Sequence, residues 1–153
     1  MARNNTMAAR PALGIDRIAA TLAPYSLTVL RALIGITFVL HGLPKFSNLQ
    51  GFSGFFASVG GPASLAVLVP LLEVIGGLLL IVGLGARWVS LLFMGLMLLT
   101  TLLVKASVGF IAPPEAGAGA ELDLLLLAGS FVLFCYGAGR LAVDEALARR
   151  SSV

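Results

Sequence analysis

The chain has 153 residues, 59% hydrophobic and 11% charged, with ten Lys and Arg against seven Asp and Glu. A globular domain carries roughly 25% charged residues, so a soluble fold of this length is excluded for want of polar surface, and the chain reads as an integral membrane protein with one domain. Its basic residues are scattered, with no aromatic-basic platform, which sets nucleic acid aside and leaves the lipid bilayer as the first partner.

Residues 1–24 read as a cytoplasmic or interfacial segment. They are too long and too mixed for a signal peptide, and the apolar run that follows ends in "VLHGLPKF", without an A-x-A cleavage pattern. Within them "LGIDRIAATLA" fits a short interfacial helix and disorder equally. The membrane domain covers 25–139, with spans over 25–43, 63–84, 87–108 and 122–138. Each approaches the ~20 residues that cross the hydrocarbon core. The expected fold is all-α, a four-transmembrane-helix antiparallel bundle. Between the spans lie Gly- and Pro-punctuated connections. In the first, Phe52, Phe55, Phe56 and Val59 keep the spacing of one helical face, so a short surface helix near 49–60, or a loop anchored by aromatics, covers that end. In the second span Pro70 predicts a kink near Glu73. Residues 140–153 form a cytoplasmic tail.

Lys and Arg set the direction. With both termini on one side, that side holds Arg3, Arg10, Arg17, Arg87, Arg140, Arg149 and Arg150, and the other only Lys45 and Lys105. Both termini are therefore expected in the cytoplasm, with the chain a multi-pass protein of the plasma membrane.

Three stretches, "RALIGITFVLHGLPKF", "LLEVIGGLLLIVGLGAR" and "ELDLLLLAG", together resemble the DoxX family of small membrane proteins over about residues 27–140. The resemblance implies a four-helix bundle in a prokaryotic plasma membrane. The family name comes from a subunit of a thiosulfate:quinone oxidoreductase associated with a terminal oxidase, and other members are described as partners of thiol-handling or oxidative-stress proteins. The resemblance speaks to architecture more than to reaction.

Ionisable residues inside the bilayer carry the chemistry, since a charge at its centre costs roughly 2.5–3.5 kcal/mol on insertion scales. Glu73 lies near mid-membrane and is the candidate proton relay. Helical side chains lean toward their own N-terminus. That argues against a pair with Arg31, which is expected to snorkel to cytoplasmic headgroups, and favours a structural ion pair with Lys105, with Thr101 one turn away. His41, Lys45, Lys105, Glu121 and Asp123 gather at the outer end above Glu73, although residues at span ends also snorkel routinely. A polar pocket follows, with His41, Lys45, Lys105, Thr101, Asp123, Phe38 and Phe55 as candidate ligand-binding residues.

Such a pocket suits a quinone, which needs an apolar slot, polar groups at its carbonyls and a proton path. One His and one Cys supply neither two haem ligands, nor an iron–sulfur ligand set, nor a metal site, so electrons must come from a partner. The expected role is a quinone-linked redox subunit rather than a complete enzyme. The alternatives are a non-catalytic membrane anchor or assembly partner, and a small-solute or proton pathway that needs a homo-oligomer.

Overall fold

The computed structural model describes residues 14–113 and 117–150, and every regular element among them is helical. Arg3 and Arg10, used above for orientation, lie outside the described residues, as do most of segment 1–24 and the last three residues of the tail.

The first element, α1 (Gly14–Leu22), buries nothing and leaves Ile15, Ile18 and Leu22 exposed along one face. That pattern suits a helix lying in an interface. A 3₁₀ turn, Ala23–Tyr25, leads into α2 (Ser26–Ser47). Together they form the run Gly14–Ser47, one of three long and apolar enough to cross a membrane; the others are Ala63–Val82 and Ala86–Lys105. The expected fourth span corresponds to α7 (Ala120–Tyr136), which is shorter at 17 residues.

The end of α2 differs from expectation. The first span is expected to end at residue 43, yet the helix continues through Pro44 to Ser47. A proline near a helix end costs only one late backbone bond, and the extension keeps Lys45 in helical register with His41. After it, Asn48 caps α3 (Leu49–Ser58), its side-chain oxygen accepting from the Gly51 N–H at 3.0 Å.

The second stretch is α4 (Leu68–Leu71), a π turn over Leu72–Gly76 and α5 (Gly77–Val82). Pro70 has no N–H for the preceding turn, and the ladder widens directly after it. Glu73 sits in that widened turn. Gly83 stops the stretch in a left-handed conformation, φ +76°. Then comes α6 (Ala86–Thr100), which ends in a second π turn, Thr101–Lys105. Last is α8 (Val143–Arg150).

Interhelical bonds set the arrangement. The start of α2 lies beside the ends of α5 and α7: Thr28 donates to the Arg140 carbonyl, and Arg31 reaches Leu80. The end of α2 meets the start of the second stretch through Lys45 and Glu73. Thr100, late in α6, meets Asp123, early in α7. These neighbours are therefore antiparallel. The core between them holds Ile34, Phe38, Leu80, Val89, Phe93 and Leu133, with the Phe38 and Phe93 rings stacked 3.6 Å apart. The closest approach is glycine on glycine. A methyl group on Gly35 would lie 2.5 Å from the Gly77 carbonyl oxygen, and one on Gly77 2.6 Å from that of Gly35. Where lipid offers no hydrophobic drive, such backbone contact lets dispersion hold two helices together.

Arg31 corrects an expectation. It does not snorkel, and it does not pair with Glu73. It is 2% exposed and donates to the carbonyls of Leu80 at 2.8 Å, Ile81 at 2.6 Å and Leu141 at 2.6 Å. The last carbonyls of a helix have no donors of their own. The end of α5 lies beside Arg31, so the two terminal nitrogens of the guanidinium find acceptors within the protein, while its buried Nε makes no hydrogen bond among the described residues. On the same end Asp144 accepts from the backbone N–H groups of Gly85 at 2.9 Å and Ala86 at 3.2 Å, capping α6. The end that carries α1 and α8 is thus tied shut by polar bonds.

Candidate functional site

The opposite end is open. A cavity of about 680 Å³ lies under α3, between α2, the Glu73 π turn, α6 and α7. Phe52, Phe55 and Phe56 of α3 and Val59 directly after it, the one-face series of the first connection, all line it. Leu96, Met97, Leu103 and Leu126 form apolar walls. His41, Lys45, Glu73, Lys105 and Asp123 contribute the ionisable groups, and Phe38 lines it beside the core.

The ion pair differs from the sequence expectation. Glu73 pairs with Lys45, not with Lys105. The Lys45 ammonium lies 2.5 Å from Oε1 and 2.6 Å from Oε2 of Glu73, and it also sits 5.2 Å from the centre of the Phe52 ring, a cation–π contact. The physical cause is the helix packing. A methyl group on Gly42 would lie 2.9 Å from the Glu73 Cβ and 2.8 Å from a Val74 methyl. The bare backbone of α2 therefore lies against the π turn, and Lys45, three residues on, leans over the carboxylate. Lys105 instead donates to the Ala118 carbonyl in the connection before α7. Glu73 is 4% exposed; the Lys45 side chain keeps 26% of its surface.

Thr101 is also corrected. Its hydroxyl is buried and makes no hydrogen bond among the described residues, and it does not line the cavity. The neighbouring Thr100 does, donating to Asp123 Oδ2 at 2.7 Å. Thr100 follows Met97 by three residues and Leu96 by four, on the face that α6 already turns to the cavity. Asp123 is 7% exposed and has no cationic partner among the described residues. Glu121 turns away and accepts from the Gly119 N–H at 3.1 Å. The His41 Nδ1 lies 2.8 Å from the Thr37 carbonyl. Phe55 lines the cavity yet stays half-exposed at its rim.

Chemically, the chamber is an apolar slot with a bidentate ion pair at one wall and a carboxylate at another. The dry walls strengthen those charges relative to water.

Two comparisons with known proteins give matches. The DoxX family profile matches residues 26–106. A Bacillus subtilis (strain 168) protein named "Putative oxidoreductase CatD" is 37% identical over 116 residues, covering 76% of this chain and 82% of its own. No solved structure gives a significant match.

Proposed function

The chain belongs to the DoxX family of membrane proteins, and we propose that it is a quinone-binding subunit of an oxidoreductase in the plasma membrane. In this reading α7 is a fourth crossing helix, both termini face the cytoplasm, and the cavity opens toward the outer half of the bilayer. The observation that carries it is the chamber itself: about 680 Å³ of largely apolar space with the Lys45–Glu73 pair and Asp123 on its walls. The volume lies within the range of small-molecule sites, about 300–1,000 Å³.

A bound quinone accepts two electrons and two protons. The chain's own residues supply the rest. Phe52, Phe55 and Phe56 on α3 roof the ring and exclude water. Lys45 holds Glu73 in place as the proton-relay group at the wall. The name of the Bacillus relative is consistent with a redox role. A partner subunit brings the electrons, since the chain's one Cys and one His cannot build a haem or iron–sulfur site.

The test is extraction of lipids from the natively purified protein and mass spectrometry of what is retained. The reading expects a quinone in near-stoichiometric amount, lost in Glu73→Gln while that variant stays monodisperse and helical. If no lipid-soluble redox compound is retained and Glu73→Gln lowers only stability, the protein is an anchor or assembly partner.

A further inference from the structure

We infer that the cavity holds the reduced, dihydroxy form of its ring more tightly than the oxidised, dicarbonyl form. This rests on the quinone reading above and adds a direction to it. The cavity wall carries both committed and uncommitted polar atoms.

Some donors are committed, but the Lys105 ammonium keeps two N–H groups beyond its one bond. Lys45 gives N–H bonds to both oxygens of Glu73 and faces the Phe52 ring. Lys105 donates to the Ala118 carbonyl. Thr100 gives its proton to Asp123. The His41 Nδ1 meets the Thr37 carbonyl, which can only accept, so Nδ1 carries the proton of the neutral ring. That leaves the His41 Nε2 with a lone pair.

The acceptors are not spent. Asp123 is 7% exposed, and only its Oδ2 receives a hydrogen bond among the described residues. Its Oδ1 stands free at the cavity wall. The two uncommitted acceptors, Asp123 Oδ1 and His41 Nε2, lie on different helices. The formal charges of the lining also cancel, with Lys45 and Lys105 against Glu73 and Asp123. A neutral ligand that donates hydrogen bonds fits this wall.

A quinone carbonyl can only accept. It can accept from a spare Lys105 N–H, yet it leaves Asp123 Oδ1 without a donor. A quinol hydroxyl donates to Asp123 and still accepts from a spare Lys105 N–H. An unpaired buried acceptor weakens binding by about tenfold or more.

The experiment is calorimetric titration of the full-length protein in nanodiscs with 2,3-dimethyl-1,4-naphthoquinone, and separately with its dithionite-reduced quinol under argon. The expected result is a Kd lower for the quinol by about tenfold, equivalent to a midpoint potential about 30 mV higher for the bound two-electron couple. Equal affinities, or tighter binding of the quinone, overturn the inference and leave the quinone reading standing. Binding of neither form overturns both. Asp123→Asn keeps the shape and adds N–H donors. The folded variant is expected to bring the ratio toward one by gaining quinone affinity. Equal weakening of both forms would make Asp123 a structural residue and refute the assignment.

Discussion

Exchanging Lys45 for Met and Glu73 for Gln, singly and together, probes the contact on which the cavity is built. At 2.5–2.6 Å and an effective dielectric of about 20, the direct attraction is about 6–7 kcal/mol. Desolvation of both groups offsets much of it. Lys45→Met strands a carboxylate with 5% side-chain exposure, and removing one partner of a buried pair costs about 3–5 kcal/mol. Glu73→Gln is milder, about 1–3 kcal/mol, because the Lys45 ammonium is already partly exposed and can extend toward headgroups. The double variant leaves no stranded charge, so its cost falls below the sum of the singles by about 2–3 kcal/mol. The assay is reversible unfolding in mixed micelles titrated with a denaturing detergent, followed by circular dichroism. A parallel cycle with Lys105→Met and Glu73→Gln should be additive within about 0.5 kcal/mol. Additivity in the Lys45 cycle, or coupling in the Lys105 cycle, would refute the pairing described above.

Arg31→Lys should destabilise nearly as much as Arg31→Met in the same unfolding assay, by about 3 kcal/mol, because a single ammonium cannot reach three carbonyls placed for a planar fork. Gly42→Ala should cost about 1–3 kcal/mol by pushing α2 off the π turn, and with it should weaken retention of any cavity ligand. Gly83→Ala should cost more than an ordinary helix-stop substitution, since its φ of +76° is strained for alanine and the new methyl would meet the Ala142 Cβ at 2.7 Å. Asp144→Ala should lower stability by about 1 kcal/mol through loss of the α6 cap, measured as faster hydrogen exchange at Gly85 and Ala86.

The helical class and the approximate run boundaries were readable because apolar runs of near-membrane length leave few alternatives. The α3 face was readable only in part, since the spacing of Phe52, Phe55, Phe56 and Val59 fitted a surface helix and an aromatic-anchored loop alike, and the structure has the helix. What could not be read was which helix neighbours which. The lean of side chains pointed only to Lys105 as the partner of Glu73, with Lys45 grouped among the residues at the outer end. The choice between them depended on the close approach of α2, and its signal lay in Gly42, a glycine three residues before Lys45 on a helix that also carries Gly35. Treating Pro44 as a break hid this, because it put Lys45 in a loop. Thr100 rather than Thr101 continues the Leu96 and Met97 face into the cavity, and a π turn follows directly over Thr101–Lys105. No sequence period announces such a turn, since it arises where packing makes a wider ladder the better fit. Arg31 was misread for a related reason: an arginine in a span is taken for a snorkelling one until the carbonyl ends it satisfies are seen.

The most direct measurement is photolabelling in native membranes with an azido-substituted quinone, adducts mapped by peptide mass spectrometry and challenged with excess unlabelled quinone. Competed adducts are predicted on the cavity wall, at Thr37, Phe52, Phe56, Leu103 or Leu126. Labelling spread over the exposed outer faces at Leu98, Leu102 and Leu125, and indifferent to competitor, would contradict the account.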